Sequence, residues 1–123
     1  MNKGKVVLVP FPFDDLSATK VRPAFCLTNQ IGQYNHIILA LITSTIPTNI
    51  TELDVLLNTD HPDFNTSGLH KPSTIKLDFV VTVRASILLR ELGQLSEDTQ
   101  EQITQIYNRI NTSSAKSTVL KLK

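Results

Sequence analysis

Short apolar runs separated by turn-forming residues fill positions 1–95, and only positions 96–111 have helical spacing. Many strands followed by one helix predict a mainly β fold, a small barrel or curled sheet with a C-terminal α-helix packed on it. The third strand is almost continuously apolar, which indicates burial on both faces. The long polar stretch at 58–71 predicts a loop. The predicted strands are 5–11, 23–28, 36–43, 52–57, 73–83 and 92–95.

The fifth predicted strand alternates at its start between apolar and charged residues. Ile75, Leu77 and Phe79 are expected to share one face, and Lys76 and Asp78 to project together from the other. The strand is therefore predicted to bury one side and to present a lysine beside an aspartate on the other.

The helix is predicted to begin at the N-cap Ser96 and to end near Asn111. The polar residues 112–123 are expected to form a tail, in which 118–122 could add an edge strand. We therefore predict one domain over residues 1–111. Four apolar residues at helical spacing are expected to pack on the sheet, namely Ile103, Ile106, Tyr107 and Ile110.

The composition excludes several classes of protein. Twelve basic and 11 acidic residues give a net charge of +1, so a polyanion site must come from local arrangement. The lone Cys26 lies in an apolar run, which predicts a buried thiol in a reducing, cytosolic compartment. No apolar run is long enough for a membrane span, and no signal peptide is evident. We expect a cytoplasmic protein with no membrane partner.

Three places could carry chemistry. Pro23 restrains Arg22 to an extended conformation at the end of a polar loop, where a guanidinium suits a phosphate. Thr43 ends the most apolar strand, where a hydroxyl can stand at the mouth of a pocket. Lys76 and Asp78 stand side by side and could serve in proton transfer. The histidines His36, His61 and His70 lack metal-ligand spacing, so we expect no metal and no cofactor.

Each place also has a plain structural alternative. Arg22 could be a surface residue that pairs with Asp14 or Asp15. The strand-end hydroxyls could satisfy the backbone of the following turn. The pair of Lys76 and Asp78 could be an exposed ion pair that contributes about 0–1 kcal/mol. The residues alone leave both interpretations open at all three places.

Taken in chain order, these segments resemble the MazF/PemK family of toxin–antitoxin ribonucleases over about residues 4–111. Each segment alone is weakly specific for the family, but the order and spacing of all six make the resemblance fairly specific. The segments are GKVVLVPFPF at 4–13, RPA at 22–24, ITS at 42–44, GLHKPS at 68–73, KLD at 76–78 and LGQLS at 92–96.

The resemblance implies an SH3-like barrel with a terminal helix, a homodimer, and metal-independent cleavage of single-stranded RNA by its own 2′-hydroxyl. It also implies inhibition by a cognate antitoxin. By the same resemblance Arg22 would neutralise the scissile phosphate and Thr43 would orient it, while Asp78 would transfer a proton or contact a base. The substrate-binding residues would be Ser44, Lys76, Lys20, Pro12 and Phe13.

The chain departs from the family pattern in two places. Many members carry an acid shortly before the arginine, but residues 17–20 hold none, and Asp15 is the nearest. Some members have an arginine where Lys76 stands. Two further hypotheses therefore stay open: a non-catalytic barrel toxin that binds a protein target such as gyrase, and a degenerate relative that acts only in operon regulation.

Overall fold

In the described part of the chain, the fold consists of six antiparallel strands, a single-turn helix, a 3-10 turn and a long C-terminal helix. The computed structural model describes residues 2–11, 20–45 and 48–122. The strands form one curled sheet in the order β4-β5-β3-β2-β1-β6. The predicted mainly β class with a C-terminal helix is therefore confirmed. The elements are β1 (Lys5–Phe11), β2 (Lys20–Cys26), β3 (His36–Thr43), β4 (Asp54–Leu57), α1 (Phe64–Ser67), β5 (Ser73–Arg84), a 3-10 turn (Ala85–Ile87), β6 (Arg90–Gln94) and α2 (Glu97–Leu122).

Strand β3 lies between two apolar clusters, as its unbroken apolar run predicts. Ala40 and Ile42 belong to the cluster beneath helix α2. Ile37 and Leu39 point to the opposite cluster, which β1, β2 and the far end of β5 complete. Alternate residues of one strand thus enter two cores.

Helix α2 begins where the sequence predicts and ends later. The Thr99 N–H donates to the Ser96 Oγ at 3.3 Å, which confirms the N-cap, and the predicted apolar stripe packs on the sheet. The helix continues to Leu122, so the expected end near Asn111 and the edge strand at 118–122 are wrong. No glycine or proline interrupts residues 97–122, and an asparagine costs a helix interior too little to end it.

Strand β5 contains an irregularity that the alternating pattern does not reveal. Ala40 pairs with Val80, whereas the next residue of β3, Leu41, pairs with Lys76. Residues 77–79 are therefore extra on the β5 side and interrupt the alternation. Phe79, expected in the core, is 38% exposed for this reason.

The stretch at 58–71, which the sequence predicts to be a loop, contains the single helical turn α1.

Two further findings bear on the sequence predictions. Cys26 is buried, as expected, and burial raises the pKa of its thiol to about 11. None of the helices in the described part of the chain has the length and apolar character needed to cross a bilayer.

Candidate functional site

A proline opens the sheet between β2 and β3. The pairing of these strands runs from Cys26, opposite Leu39, only as far as Ala24, opposite Leu41. Pro23 comes next and has no N–H to donate, so the ladder stops there. Beyond that point residues 20–23 of β2 remain paired with β1 alone.

Arg22 and Thr43 lie at this opening on neighbouring strands. Each stands two residues beyond the last pair, Ala24 and Leu41, so the alternation of side chains along each strand puts both on the face of that pair. Both residues are half-buried. The structure also puts Arg22 inside β2, because this strand begins at Lys20 and not at the predicted residue 23.

The same face continues across β5 and β4. Thr43 pairs with Thr74 of β5, and one step along that strand face Lys76 pairs with Asp54 of β4. Residues opposite each other in antiparallel strands share a face, so the register aligns five polar side chains. We call this set the polar row: Arg22, Thr43, Thr74, Lys76 and Asp54.

Asp54, which the sequence analysis does not single out, forms a close ion pair with Lys76. The Lys76 Nζ lies 2.6 Å from the Asp54 Oδ1, the Asp54 side chain is fully buried, and that of Lys76 is 22% exposed. The Thr51 N–H donates to the other Asp54 oxygen at 3.0 Å. Burial opposes ionisation of Asp54, but the hydrogen bonds from Lys76 and Thr51 outweigh it and hold its pKa below the usual value. The hydrogen bond to Asp54 likewise raises the pKa of Lys76, against the effect of burial.

The predicted neighbour Asp78 is a more distant partner. Its Oδ1 lies 3.7 Å from the Lys76 Nζ, and its side chain is 48% exposed within the extra residues 77–79. Lys76 therefore has one carboxylate that anchors it and a second that faces solvent. The second, Asp78, is the one available to a ligand.

The Thr43 hydroxyl already has one backbone partner. The Thr45 N–H donates to the Thr43 Oγ1 at 3.1 Å, which is the turn-stabilising contact expected as an alternative. Because this bond uses a lone pair, the hydroxyl hydrogen is left to donate elsewhere. The two interpretations of Thr43 are therefore compatible.

A pocket of about 180 Å³ opens beside Thr43. Ser44, the residue after Thr43, forms part of its wall, and Thr74 of the polar row forms another part. Among the described residues, the lining consists of Ser44, Ile50, Leu56, Asn58, Pro72, Ser73 and Thr74.

The remaining predicted site residues divide into two groups. Lys20 is exposed at the start of β2, opposite Phe11. Pro12 and Phe13 lie outside the described residues, as do the aspartates at 14 and 15 that could have paired with Arg22. Among the described residues, no three His, Cys, Asp or Glu side chains are grouped so that they could hold a metal ion.

The comparisons with known proteins agree with this architecture. A family model described as the PemK-like, MazF-like toxin of type II toxin–antitoxin systems matches residues 2–110. The chain belongs to this family of toxins. No curated protein matches the sequence of this MazF-like toxin.

Three solved structures have the same fold. A Mycobacterium tuberculosis toxin, MazF-mt6, superposes with a TM-score of 0.64 at 19% identity, covering 85% of this chain and 93% of the other. A second toxin from the same organism gives 0.57 at 21% identity, over 72% and 90% of the two chains. A mycobacterial endoribonuclease in complex with its cognate antitoxin gives 0.60 at 15% identity, over 87% and 90%. At these identities the likeness establishes the fold alone.

Asp54, Thr74 and Asn58 were not among the residues predicted from sequence. The predicted fourth strand does alternate, with Val55 and Leu57 directed to the core, so Asp54 could have been expected on the opposite face. Its partner could not, because nothing local to β4 specifies which residue of β5 stands opposite.

Proposed function

We propose that this MazF-like toxin is an endoribonuclease that cleaves single-stranded RNA, messenger RNA in the cell, without a metal cofactor. The observation that carries the proposal is the register of β2, β3 and β5. It aligns Arg22, Thr43 and Lys76 on one face beside the opening made by Pro23. A guanidinium, a hydroxyl and an ammonium on one face are the donors that a phosphodiester requires.

RNA supplies its own nucleophile. The 2′-hydroxyl loses its proton and attacks the adjacent phosphorus, which breaks the bond to the 5′-oxygen of the next nucleotide. The 5′-oxygen takes up a proton as it leaves. The products are a 2′,3′-cyclic phosphate and a 5′-hydroxyl end. The protein therefore needs a group that accepts a proton, a group that donates one, and positive charge around the phosphorane.

The geometry favours distinct roles for the four groups. Arg22 neutralises the phosphate, and the Thr43 hydroxyl hydrogen orients one of its oxygens. Lys76 acts as a fixed positive charge because the hydrogen bond to Asp54 raises its pKa and holds its Nζ in place. Asp78, with its side chain half exposed, is the carboxylate that could accept the 2′-hydroxyl proton or contact a base.

The partners follow from the family. We propose a homodimer in the cytoplasm that a cognate antitoxin inhibits by covering the RNA-binding surface. One of the similar structures is an endoribonuclease in complex with its cognate antitoxin, which supports this arrangement. Light scattering of the purified toxin, alone and with the antitoxin added, tests both the dimer and the complex.

An RNA cleavage assay tests the activity. Wild-type toxin is expected to cut a mixed-sequence RNA in EDTA, and to leave uncut the same RNA with a single 2′-deoxy nucleotide at the cut site. Arg22→Ala is expected to lose about 100-fold or more in rate with its melting temperature unchanged, since one transition-state donor is removed. The matched control is Arg90→Ala on the edge strand β6, where Arg90 is exposed.

Three results would contradict the proposal. Full cleavage by Arg22→Ala would remove the role of the polar row, and loss of cleavage in EDTA would remove the metal-independent mechanism. Binding of RNA without any products would favour the non-catalytic alternatives, a toxin directed at a protein target such as gyrase or a regulatory relative.

A further inference from the structure

The pocket beside Thr43 is continuous with the polar row. Two of its lining residues, Thr74 and Leu56, are a cross-strand pair, and Thr74 is itself opposite Thr43. Neighbouring strands are about 4.8 Å apart, so Thr74 and Leu56 form the wall one and two strands away from Thr43. Ser44 brings the wall to the residue that follows Thr43. A ligand group in the pocket would therefore lie next to a phosphate held at Arg22 and Thr43.

The size of the pocket restricts what can enter it. Sites for drug-sized molecules occupy roughly 300–1,000 Å³, whereas this pocket holds about 180 Å³. The volume suits a single planar ring system better than a whole nucleotide. A base is joined to its phosphate through one ribose, so a phosphate at the polar row leaves the base of the same or the next nucleotide within reach.

The lining has the chemistry of a base-binding site. Ile50, Leu56 and Pro72 supply apolar contacts for the faces of a ring. The Asn58 amide offers both donors and an acceptor, and the Ser44 hydroxyl offers one donor. The structure gives neither side chain a hydrogen-bond partner among the described residues, and both residues are exposed.

We propose that this pocket binds one unstacked nucleobase next to the scissile phosphate and that Asn58 determines which base is preferred. The inference rests on the proposed ribonuclease function and goes beyond it by assigning the specificity. Single-stranded RNA is recognised in this way, with bases splayed out of the stack and hydrogen-bonded along their edges. Asn58 acts on the choice of base and leaves the phosphate contacts of the polar row unchanged.

The test uses the full-length toxin and a random-sequence RNA library, with the 5′-hydroxyl ends sequenced after limited cleavage. In wild type, one position beside the cut is expected to show a base preference. Asn58→Ala is expected to weaken the preference at that position alone by about threefold to tenfold, the effect of one hydrogen bond. Asn58→Asp accepts hydrogen bonds only, so it is expected to shift the preference toward bases that present an amino group.

The control is Asn108→Ala, which removes another exposed asparagine, on helix α2, and is expected to leave the whole profile unchanged. Melting temperatures of the three variants should match that of wild type. If both Asn58 variants cleave RNA with the base preference of wild type, the pocket proposal is overturned and the ribonuclease function is not. The same holds if the variants cleave all sequences more slowly by an equal factor. Absence of cleavage by wild type would instead overturn the ribonuclease function, and the pocket assignment with it.

Discussion

One buried carboxylate, that of Asp63 just before α1, lies against the start of helix α2, and another lies in the polar row, but the two have different partners. Asp63 accepts hydrogen bonds from the Ser96 N–H and the Ser96 hydroxyl, both at 2.9 Å. Asp54 is bound by the Lys76 ammonium at 2.6 Å. Burial opposes ionisation of Asp63, yet its hydrogen bonds with Thr99 and Ser96 hold its pKa below the usual value.

The difference separates a folding role from a functional one. Neutral donors of Ser96 and Thr99 at a helix N-terminus bond the Asp63 carboxylate, and its negative charge complements the helix dipole. Asp54 instead neutralises the Lys76 ammonium and holds it in place. The Lys76 side chain remains 22% exposed, on the same face as Arg22 and Thr43. We therefore expect changes around the helix to alter stability alone, and changes in the polar row to alter RNA cleavage.

The largest effect on stability is expected from Ile103→Ala. Ile103 is 1% exposed in the core between α2 and the sheet, and truncation leaves a cavity there. We expect the free energy of unfolding to fall by about 3 kcal/mol, measured by urea denaturation. Cleavage per folded molecule should be unchanged. The matched control is Glu101→Ala on the exposed side of the same helix, expected to stay within about 0.5 kcal/mol of wild type.

Asp63→Asn is expected to lower the free energy of unfolding by somewhat less than Ile103→Ala does. The amide oxygen can still accept both Ser96 bonds, which share one Asp63 oxygen, but the other carboxylate oxygen becomes an NH₂ group and the charge at the helix start is lost. Hydrogen bonds to a charged acceptor are the stronger ones, so unfolding should become easier by about 2 kcal/mol. Urea denaturation at neutral pH measures the change, and RNA cleavage by the folded fraction should match wild type. A loss below about 0.5 kcal/mol would mean that the helix start does not depend on this carboxylate.

Asp54→Asn is expected to lower the free energy of unfolding by about 1 kcal/mol. The loss is small because Lys76 is partly exposed and keeps Asp78 as a second partner. The variant should also slow RNA cleavage, since the Lys76 ammonium loses the contact that holds it. Asp78→Asn, the control, should change stability by less than about 0.5 kcal/mol because its side chain is half exposed. Equal cleavage rates for wild type and Asp54→Asn would end the proposed positioning of Lys76.

The smallest effect is on the pH dependence of stability. Asp54 and Asp63 both have a lowered pKa in the folded chain, so the unfolded chain binds more protons in acid. Their contribution is complete above the ordinary carboxyl pKa of about 3.9 and is lost as the pH falls through their folded values. The contribution of Lys76, whose pKa is raised, is complete below about 10.4 and is lost in stronger base. Urea titrations from pH 7 to 3 should show that the free energy of unfolding falls less steeply with acid in Asp54→Asn and in Asp63→Asn than in wild type.

Local pattern determined the class of fold and most of the elements. The period of 3.6 in the apolar residues of α2, the unbroken apolar run of β3 and the proline at 23 each act through neighbours in the chain. These features predicted the helix stripe, the two-sided burial of β3 and the extended Arg22. The sequence also contained the motifs that point to the toxin family.

Only the tertiary structure decided which distant residues meet. Asp54 and Lys76 are 22 positions apart, and their contact depends on the β4–β5 register, which no local pattern encodes. The extra residues 77–79 of β5, which expose Phe79, arise from pairing with β3, as does the alignment of Thr74 with Thr43. The pocket around Asn58 likewise needs three separate segments to come together. Register and packing are properties of pairs of segments, so they are fixed only when the sheet forms.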